Sequence, residues 1–277
     1  MNGSATDNPT QINQNPSYKI MKAYGYRNLI VEYWDLLRGD TSKWSSRPYF
    51  LEIIQGSGEP ALDVACGTGR ILLDYMQLGI DIDGVDISPE MIDKCQQNAE
   101  TTGFKPNFYV QAMQSLDLPR RYRTIIVPSS SFLHLTERST ALQALDRFHR
   151  HLEPGGTLAM SLRVFAPEPD EDTWEWELVS EAERPADGAM VQQWFRCRFD
   201  IPARLQNTEY RYNVLKDDQL IQSETYRNTP DLTWYLVSEA KELVASAGFK
   251  NVRADRDFTS EPAVDEDHSF IIVAQRA

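Results

Sequence analysis

Cysteine is scarce in this chain of 277 residues: Cys66, Cys95 and Cys197 are odd in number, widely spaced and free of any C-x-x-C pairing. That usage argues against a disulfide framework and against a zinc cluster. Histidine is nearly as rare, at four residues (His134, His149, His151, His268), and no H-E-x-x-H pattern is present, so no metal is expected. Long apolar runs are missing too. No stretch approaches the roughly 20 consecutive apolar residues of a membrane helix. The opening MNGSATDNPTQINQNPS is polar where a secretory leader would be apolar, so a cytoplasmic location is expected and a membrane partner is not. Positive charge is the last shortage. Twenty-eight Lys and Arg against 41 Asp and Glu leave a formal net charge of −13, which repels phosphate backbones. Nucleic acid is therefore not expected as a partner, and a small molecule is.

What the chain does have is ordinary globular composition, with 41% hydrophobic and 25% charged residues. Its length suits one large domain or one domain with an insertion. Residues 1–16 hold almost no large apolar side chain and read as a disordered tail. From Tyr18 to Leu37 apolar residues recur at helical spacing on one or two helices, and a short helix is expected to follow Pro48. Next comes an alternation of strand and helix. Strands are read at Pro60–Val64, Asp81–Val85, Asn107–Gln111, Thr124–Val127 and Thr157–Val164. Helices are read at Gly69–Leu78, from Pro89, and at Glu137–Leu152, the last closed by Pro154-Gly155-Gly156. The helix after Asp86 carries the clearest start: Ser88 can cap it, Pro89 suits its first turn, and Glu90 puts negative charge at its positive end. Alternation of this kind builds a parallel α/β sheet.

The period changes to two after Phe165. Following the acidic stretch APEPDEDTWEWE, Trp194, Arg196 and Arg198 share one face while Phe195, Cys197 and Phe199 share the other, and Asp217-Asp218 marks a turn. An inserted antiparallel sheet is expected. A helix at Ser238–Ala247, stopped by Gly248, and strands at Val252 and Phe270–Ala274 lead back to the main sheet. The expected division is a helical cap at 17–55, an α/β core at 56–165 and 232–277, and an antiparallel lid at 166–231.

The chemistry concentrates in Ala61-Leu62-Asp63-Val64-Ala65-Cys66-Gly67-Thr68-Gly69-Arg70, a strand running into a glycine turn that opens a helix. Gly67 and Gly69 let main chain approach a ligand closely, and N–H groups at the helix start can hold a polar or anionic group. Asp86 ends the neighbouring strand, where a carboxylate can accept hydrogen bonds from two ribose hydroxyls. Together they read as a nucleoside site. The dinucleotide fingerprint G-x-G-x-x-G needs a third glycine where this chain has Leu72, which disfavours a nicotinamide cofactor and an oxidoreductase.

In DVACGTG, GVDIS and the HLEPGG turn the chain resembles the class I S-adenosylmethionine-dependent methyltransferases of small-molecule type, with a methyltransferase-25-like domain, from about Tyr33 to the C-terminus. The resemblance implies a Rossmann-like seven-stranded sheet with helices on both faces, an N-terminal helical cap and an inserted β lid. It implies that Asp63, Ala65, Cys66, Gly67 and Gly69 surround the methionine part of S-adenosylmethionine, that Asp86 holds the ribose, and that Ile87 and Met91 pack on adenine. Gln111, Ala112 and Met113 flank the adenine edge; Ala112 departs from the Asp that the family usually places there. Pro128 and Ser129 lie where cofactor and acceptor meet, and Trp34 belongs to the cap. The tetrapeptide of DNA amino-methylases, the Pro-Cys of cytosine enzymes and the paired glutamates of arginine methyltransferases are all missing from Val127–His134.

The expected function is therefore methyl transfer to a nitrogen, oxygen or carbon nucleophile of a small-molecule acceptor, by a monomer or homodimer. His134 is the candidate general base. The rival reading, motivated by Ala112, is a non-catalytic S-adenosylmethionine-binding regulatory protein. Bland roles compete at several positions: core packing for the tryptophans and Cys66, helix-end roles for His149 and His151, and a solvated loop for Asp170-Glu171-Asp172.

Overall fold

A computed structural model describes residues 26–100, 103, 107–164 and 174–277. The tail expected at 1–16, the first part of the Tyr18–Leu37 stripe and the Asp170–Asp172 loop lie outside the described residues. The amphipathic stripe ends in two short helices, α1 (Leu29–Glu32) and α2 (Trp34–Arg38), with Gly39 at φ 59° stopping the second. Helix α3 (Ser46–Ser57) starts ahead of Pro48 instead of after it, because a proline in the first turn gives up an N–H that has no helical acceptor anyway.

The alternating segment then runs β1 (Ala61–Val64), α4 (Leu72–Gln77), β2 (Ile82–Asp86), α5 (Pro89–Glu100), β3 (Phe108–Val110), β4 (Tyr122–Val127), α6 (Arg138–His151) and β5 (Leu152–Arg163). After β5 the chain enters a separate antiparallel sheet, β6 (Glu177–Glu183), β7 (Met190–Asp200), β8 (Leu205–Lys216) and β9 (Gln219–Thr233), and returns through α7 (Val237–Ser246), β10 (Phe249–Arg256) and β11 (Ser269–Arg276). The Asp217-Asp218 turn is left-handed at both residues, φ 48° and 60°, as a two-residue hairpin requires. Among the described residues no helix is long and apolar enough to cross a membrane.

The main sheet has the order β10-β11-β5-β4-β1-β2-β3. Strands β1 to β5 are parallel, and β11 is antiparallel to both of its neighbours. Its two faces are covered by different helices. Leu62 and Val64 pack with α6 and α7, whereas Ala61, Ile126 and Ile271 pack with α3, α4 and α5. Each fully buried Leu, Val or Ile among them contributes roughly 1.5–3 kcal/mol. Because β1 pairs with β2 on one side and β4 on the other, connections leave it in opposite directions and open a crevice at its C-terminal end.

Two further boundaries differ from expectation for a physical reason. Helix α6 stops at His151 and β5 begins at once, so Pro154-Gly155-Gly156 lies inside the strand and not in a turn. A Cβ on Gly156 would sit 2.9 Å from the Glu153 carbonyl oxygen and 3.0 Å from that of Arg123, so only glycine fits at the shift in register between β4 and β5. Helix α4 begins at Leu72, leaving Gly69–Ile71 in the loop. Leu72 also fills the space that a side chain on Gly84 would need, its Cδ1 lying 2.6 Å from that Cβ position.

The second sheet is not a free appendage. Val191, Tyr212, Val214 and Tyr226 form a buried cluster with Leu29, Ile30 and Val31 of α1, with Tyr33 between α1 and α2, and with Met91 of α5. The cluster seats this sheet beside the crevice.

Candidate active site

Loop geometry at the end of β1 follows from three left-handed residues, Ala65 (φ 59°), Gly67 (φ 56°) and Gly69 (φ 91°). The two glycines serve different ends. A Cβ on Gly69 would meet Cys95 Sγ at 2.6 Å and Leu73 Cγ at 2.8 Å, so Gly69 lets the loop pack on α4 and α5. Among the described residues, a Cβ on Gly67 would find only Trp34 Nε1 within 4 Å, at 3.9 Å. Gly67 thus keeps a floor open, and its N–H donates to Asp86 Oδ2 at 2.9 Å.

Asp86 is held from both sides, since Ser88 N–H donates to Oδ1 at 2.9 Å. Burial pushes its carboxyl above the usual range, against the downward pull of these main-chain donors. Ser88 Oγ in turn accepts from Met91 N–H at 3.1 Å, the cap that the sequence implies for α5. Asp63 is more extreme. It is 1% exposed and its Oδ1 has no hydrogen-bond partner among the described residues. Burial pushes its pKa up to about 8, with Arg70 pulling it down and Asp86 pushing it further up. Burial also lowers the Arg70 guanidinium, to about 10.

The turn after β4 carries two more left-handed residues, Ser129 (φ 57°) and Ser130 (φ 58°), which cost about 1–3 kcal/mol each. Ser130 N–H donating to Ser161 Oγ at 3.1 Å, and Ser131 Oγ–H donating to the Pro128 carbonyl at 2.9 Å, hold the turn in place. The following 3-10 turn, Ser131–His134, delivers His134 beneath β9. Its Nδ1 lies 3.0 Å from the Asp231 carbonyl oxygen and 3.2 Å from Asp231 Oδ1, while Nε2 lies 3.4 Å from the Tyr26 hydroxyl. Burial pulls His134 down, but the bonds and charge of Asp231 outweigh it and leave the imidazole above its usual pKa.

One cavity joins these parts. Its wall includes Trp34, Asp63, Ala65, Cys66, Gly67, Asp86, Ile87, Met91, Gln111, Met113, Pro128, Ser129 and His134. Gly69 and Ala112 stand outside it. Gly69 is taken up in packing, and Ala112 is buried behind the wall, 7% exposed. Both ends of the Gln111 amide are bonded to the main chain of Asp117, at 2.8 Å and 3.2 Å.

A family profile described as methyltransferase domain matches residues 61–156, from β1 to the glycines of β5. The chain is 22% identical over 216 residues to the putative methyltransferase YqeM of Bacillus subtilis, an alignment covering 76% of this chain and 81% of that protein. Its fold is similar to that of an S-adenosylmethionine-dependent methyltransferase from Clostridium acetobutylicum, with TM-score 0.70 and 16% identity over 94% of this chain and 99% of that one. It is also similar to the sugar N-methyltransferase KedS8 of a Streptoalloteichus species, with TM-score 0.63 and 18% identity over 100% and 98% of the two chains. Residues 61–156 thus form a methyltransferase domain of the class I S-adenosylmethionine-dependent type.

The methyltransferase's cavity suits its cofactor on two observations. The orphaned Asp63 oxygen calls for a donor or a cation, and the floor over Gly67 would be narrowed by any Cβ. Residues of the methyltransferase that the sequence reading passed over also line the wall: Tyr26, Arg38, Thr68 and Arg70. Arg38 lies 3.5 Å over the Trp34 ring, an i,i+4 stack that the sequence spacing could have signalled. Thr68 Oγ1–H donates to Asp35 Oδ1 at 2.5 Å, and Asn98 Nδ2–H donates both to Asp35 Oδ2 at 3.1 Å and to the Thr68 carbonyl at 3.0 Å. These bonds pin α2 to the glycine loop. Asp231 was also missed; a side chain that acts across 97 residues of sequence leaves no local signal. His151, by contrast, is committed elsewhere, with Nδ1 bonded to the Arg147 carbonyl at 2.7 Å and Nε2 accepting from Leu118 N–H at 2.9 Å.

Proposed function

We propose that the methyltransferase transfers a methyl group to the amine nitrogen of a small molecule, with His134 taking up the proton that the nitrogen releases. The observation that carries this reading is the continuity of the cavity, from the buried carboxylates Asp63 and Asp86 at the glycine loop to the His134 imidazole. Asp63 would face the cofactor's ammonium, and the remaining lone pairs of Asp86 would accept from the ribose hydroxyls. Ile87 and Met91 would pack on adenine. Arg38 and Arg70, the basic side chains of the described wall, suit the cofactor's carboxylate. With the Gln111 amide already spent on Asp117, main-chain groups near Met113 are left to meet the adenine edge.

Bound there, S-adenosylmethionine supplies an electrophilic methyl group on a positively charged sulfur. The chain's own residues supply position, dryness and a proton acceptor. Trp34 and Tyr26, packed edge to face at 5.3 Å, close the cap side. The second sheet would act as a lid from behind the wall, its Tyr210 and Tyr212 packing in the same cluster as the wall residues Tyr26 and Trp34. Asp231 behind the acceptor end and Asp86 from the glycine-loop end both favour positive charge at His134. An amine is favoured over an anionic acceptor on this ground. The likeness to a sugar N-methyltransferase is one of fold and supports the reading only to that extent.

Incubation with S-adenosylmethionine carrying a labelled methyl and a panel of amino sugars, amino acids and polyamines tests the proposal. Label is expected on nitrogen of at least one amine. Tight cofactor binding with no label on any amine, alcohol or carbon acid would instead favour the regulatory-protein reading.

A further inference from the structure

We infer that Asp231 is a positioning residue that fixes the tautomer of His134, placing the proton on Nδ1 and presenting the Nε2 lone pair to the cavity. The inference rests on the proposed role of His134 as proton acceptor and names the group that makes the imidazole fit for it. Two groups of Asp231 face Nδ1, a main-chain carbonyl oxygen at 3.0 Å and a carboxylate oxygen at 3.2 Å. A carbonyl oxygen can only accept, so Nδ1 carries the hydrogen in the neutral ring. Nε2 then holds the lone pair, to which the Tyr26 hydroxyl donates across 3.4 Å. That contact is long. An acceptor N–H reaching the same nitrogen at ordinary hydrogen-bond distance would displace it.

Strand β9 shows how Asp231 comes to be there. Gln206 pairs with Leu232 and Thr208 with Asn228, so two steps along β8 are matched by four along β9, and Asp231 lies in the surplus. Bulges of this kind re-aim a side chain beside active sites. The Asp231 side chain is 3% exposed, and the His134 ring is within hydrogen-bond reach of its carboxylate. Among the described residues, charged and titratable groups that act on the ring include Asp231 from β9, Asp86 from β2 and the Tyr26 phenol from ahead of α1. When a proton passes from the acceptor nitrogen to Nε2, the new imidazolium lies against the Asp231 carboxylate, which lowers its energy without taking the proton.

The test is nuclear magnetic resonance of the full-length protein labelled with 15N in its histidine rings. Only four histidines contribute, and His134→Gln assigns the relevant signals by their loss. The expected result is a neutral His134 in the Nδ1–H form, and in Asp231→Asn a titration midpoint moved to lower pH, partly restored in Asp231→Glu. A neutral ring in the Nε2–H form overturns the inference, as does an Asp231→Asn protein with native circular dichroism and an unmoved midpoint. If Asp231→Asn does not fold, the tautomer of the unaltered chain still decides. Failure of the proposed function is read separately: unchanged methyl transfer in His134→Gln removes the proton-acceptor role and leaves the tautomer result standing.

Discussion

At the scale of single residues, Asp63 makes the firmest prediction. A carboxyl raised from 3.8 to about 8 by burial holds a proton in the folded chain that it gives up when unfolded. Between those values the folded state binds more protons, so stability falls as pH rises through the window. Asp63→Asn is expected to remove that slope, seen as a melting temperature less sensitive to pH between about 5 and 8. A cationic ligand reverses the preference of the same carboxyl. Cofactor binding is therefore expected to release protons at neutral pH, and calorimetry in buffers of different ionisation enthalpy measures this. His134 makes a kinetic prediction instead: His134→Gln should lower kcat by roughly 10²–10⁴-fold, as expected when a positioned proton acceptor is removed, while cofactor affinity is unchanged. Of this site, Asp63, Gly67 and Asp86 were legible because a strand-glycine-helix motif is local. The Asp231–His134 pair was not, since neither the bulge in β9 nor the turn at Ser129–Ser130 has a signature in residue order.

At the scale of elements, the two glycines of the β1–α4 loop separate folding from binding. Gly69→Ala forces a side chain into Cys95 and Leu73 at a left-handed φ, and is expected to cost about 1–3 kcal/mol or more of stability. Gly67→Ala meets nothing closer than the Trp34 nitrogen among the described residues, so only the left-handed φ of 56° opposes it. Its melting temperature should fall only by what a left-handed alanine costs without a clash, about 1–2 kcal/mol, while its cofactor affinity drops, measurable by scanning calorimetry and titration side by side. Equal losses in both variants would show that the loop is a packing turn alone. The α5 start offers a parallel case: Ser88→Ala removes the cap to Met91 and also the bond to the Tyr26 carbonyl at 2.7 Å, a loss of about 0.5–2 kcal/mol for the cap alone. The start of α5 could be read from Ser88-Pro89-Glu90 because caps are local chemistry. The starts of α4 and β5 could not, since Leu72 and Leu152 take their conformation from the strands they pack against.

For the molecule as a whole, the question is whether the second sheet belongs to the same cooperative unit as the cofactor cavity. Composition and period showed that an antiparallel sheet exists, but the contacts that seat it are long-range pairs between β7–β9 and the N-terminal helices. Val191, Tyr212 and Val214 share a buried cluster with Leu29, Ile30 and Tyr33, and the cluster includes Met91, whose side chain also lines the cavity. Asp35 then ties α2 to Thr68 in the glycine loop. Filling the cavity stabilises every element whose opening would empty it, by about 2.7 kcal/mol when ligand is at 100 times its Kd. Amide hydrogen exchange is therefore expected to slow on addition of S-adenosylmethionine not only in residues 65–71 but also in β7 and β8, which do not line the cavity. Protection confined to the glycine loop and β2 would mean that the second sheet opens independently and is no lid. Tyr212→Ala sharpens the comparison: by removing an edge-to-face partner of Tyr226 at 5.9 Å from the centre of the cluster, it should abolish the extra protection in β7 and β8 while leaving that of the glycine loop in place.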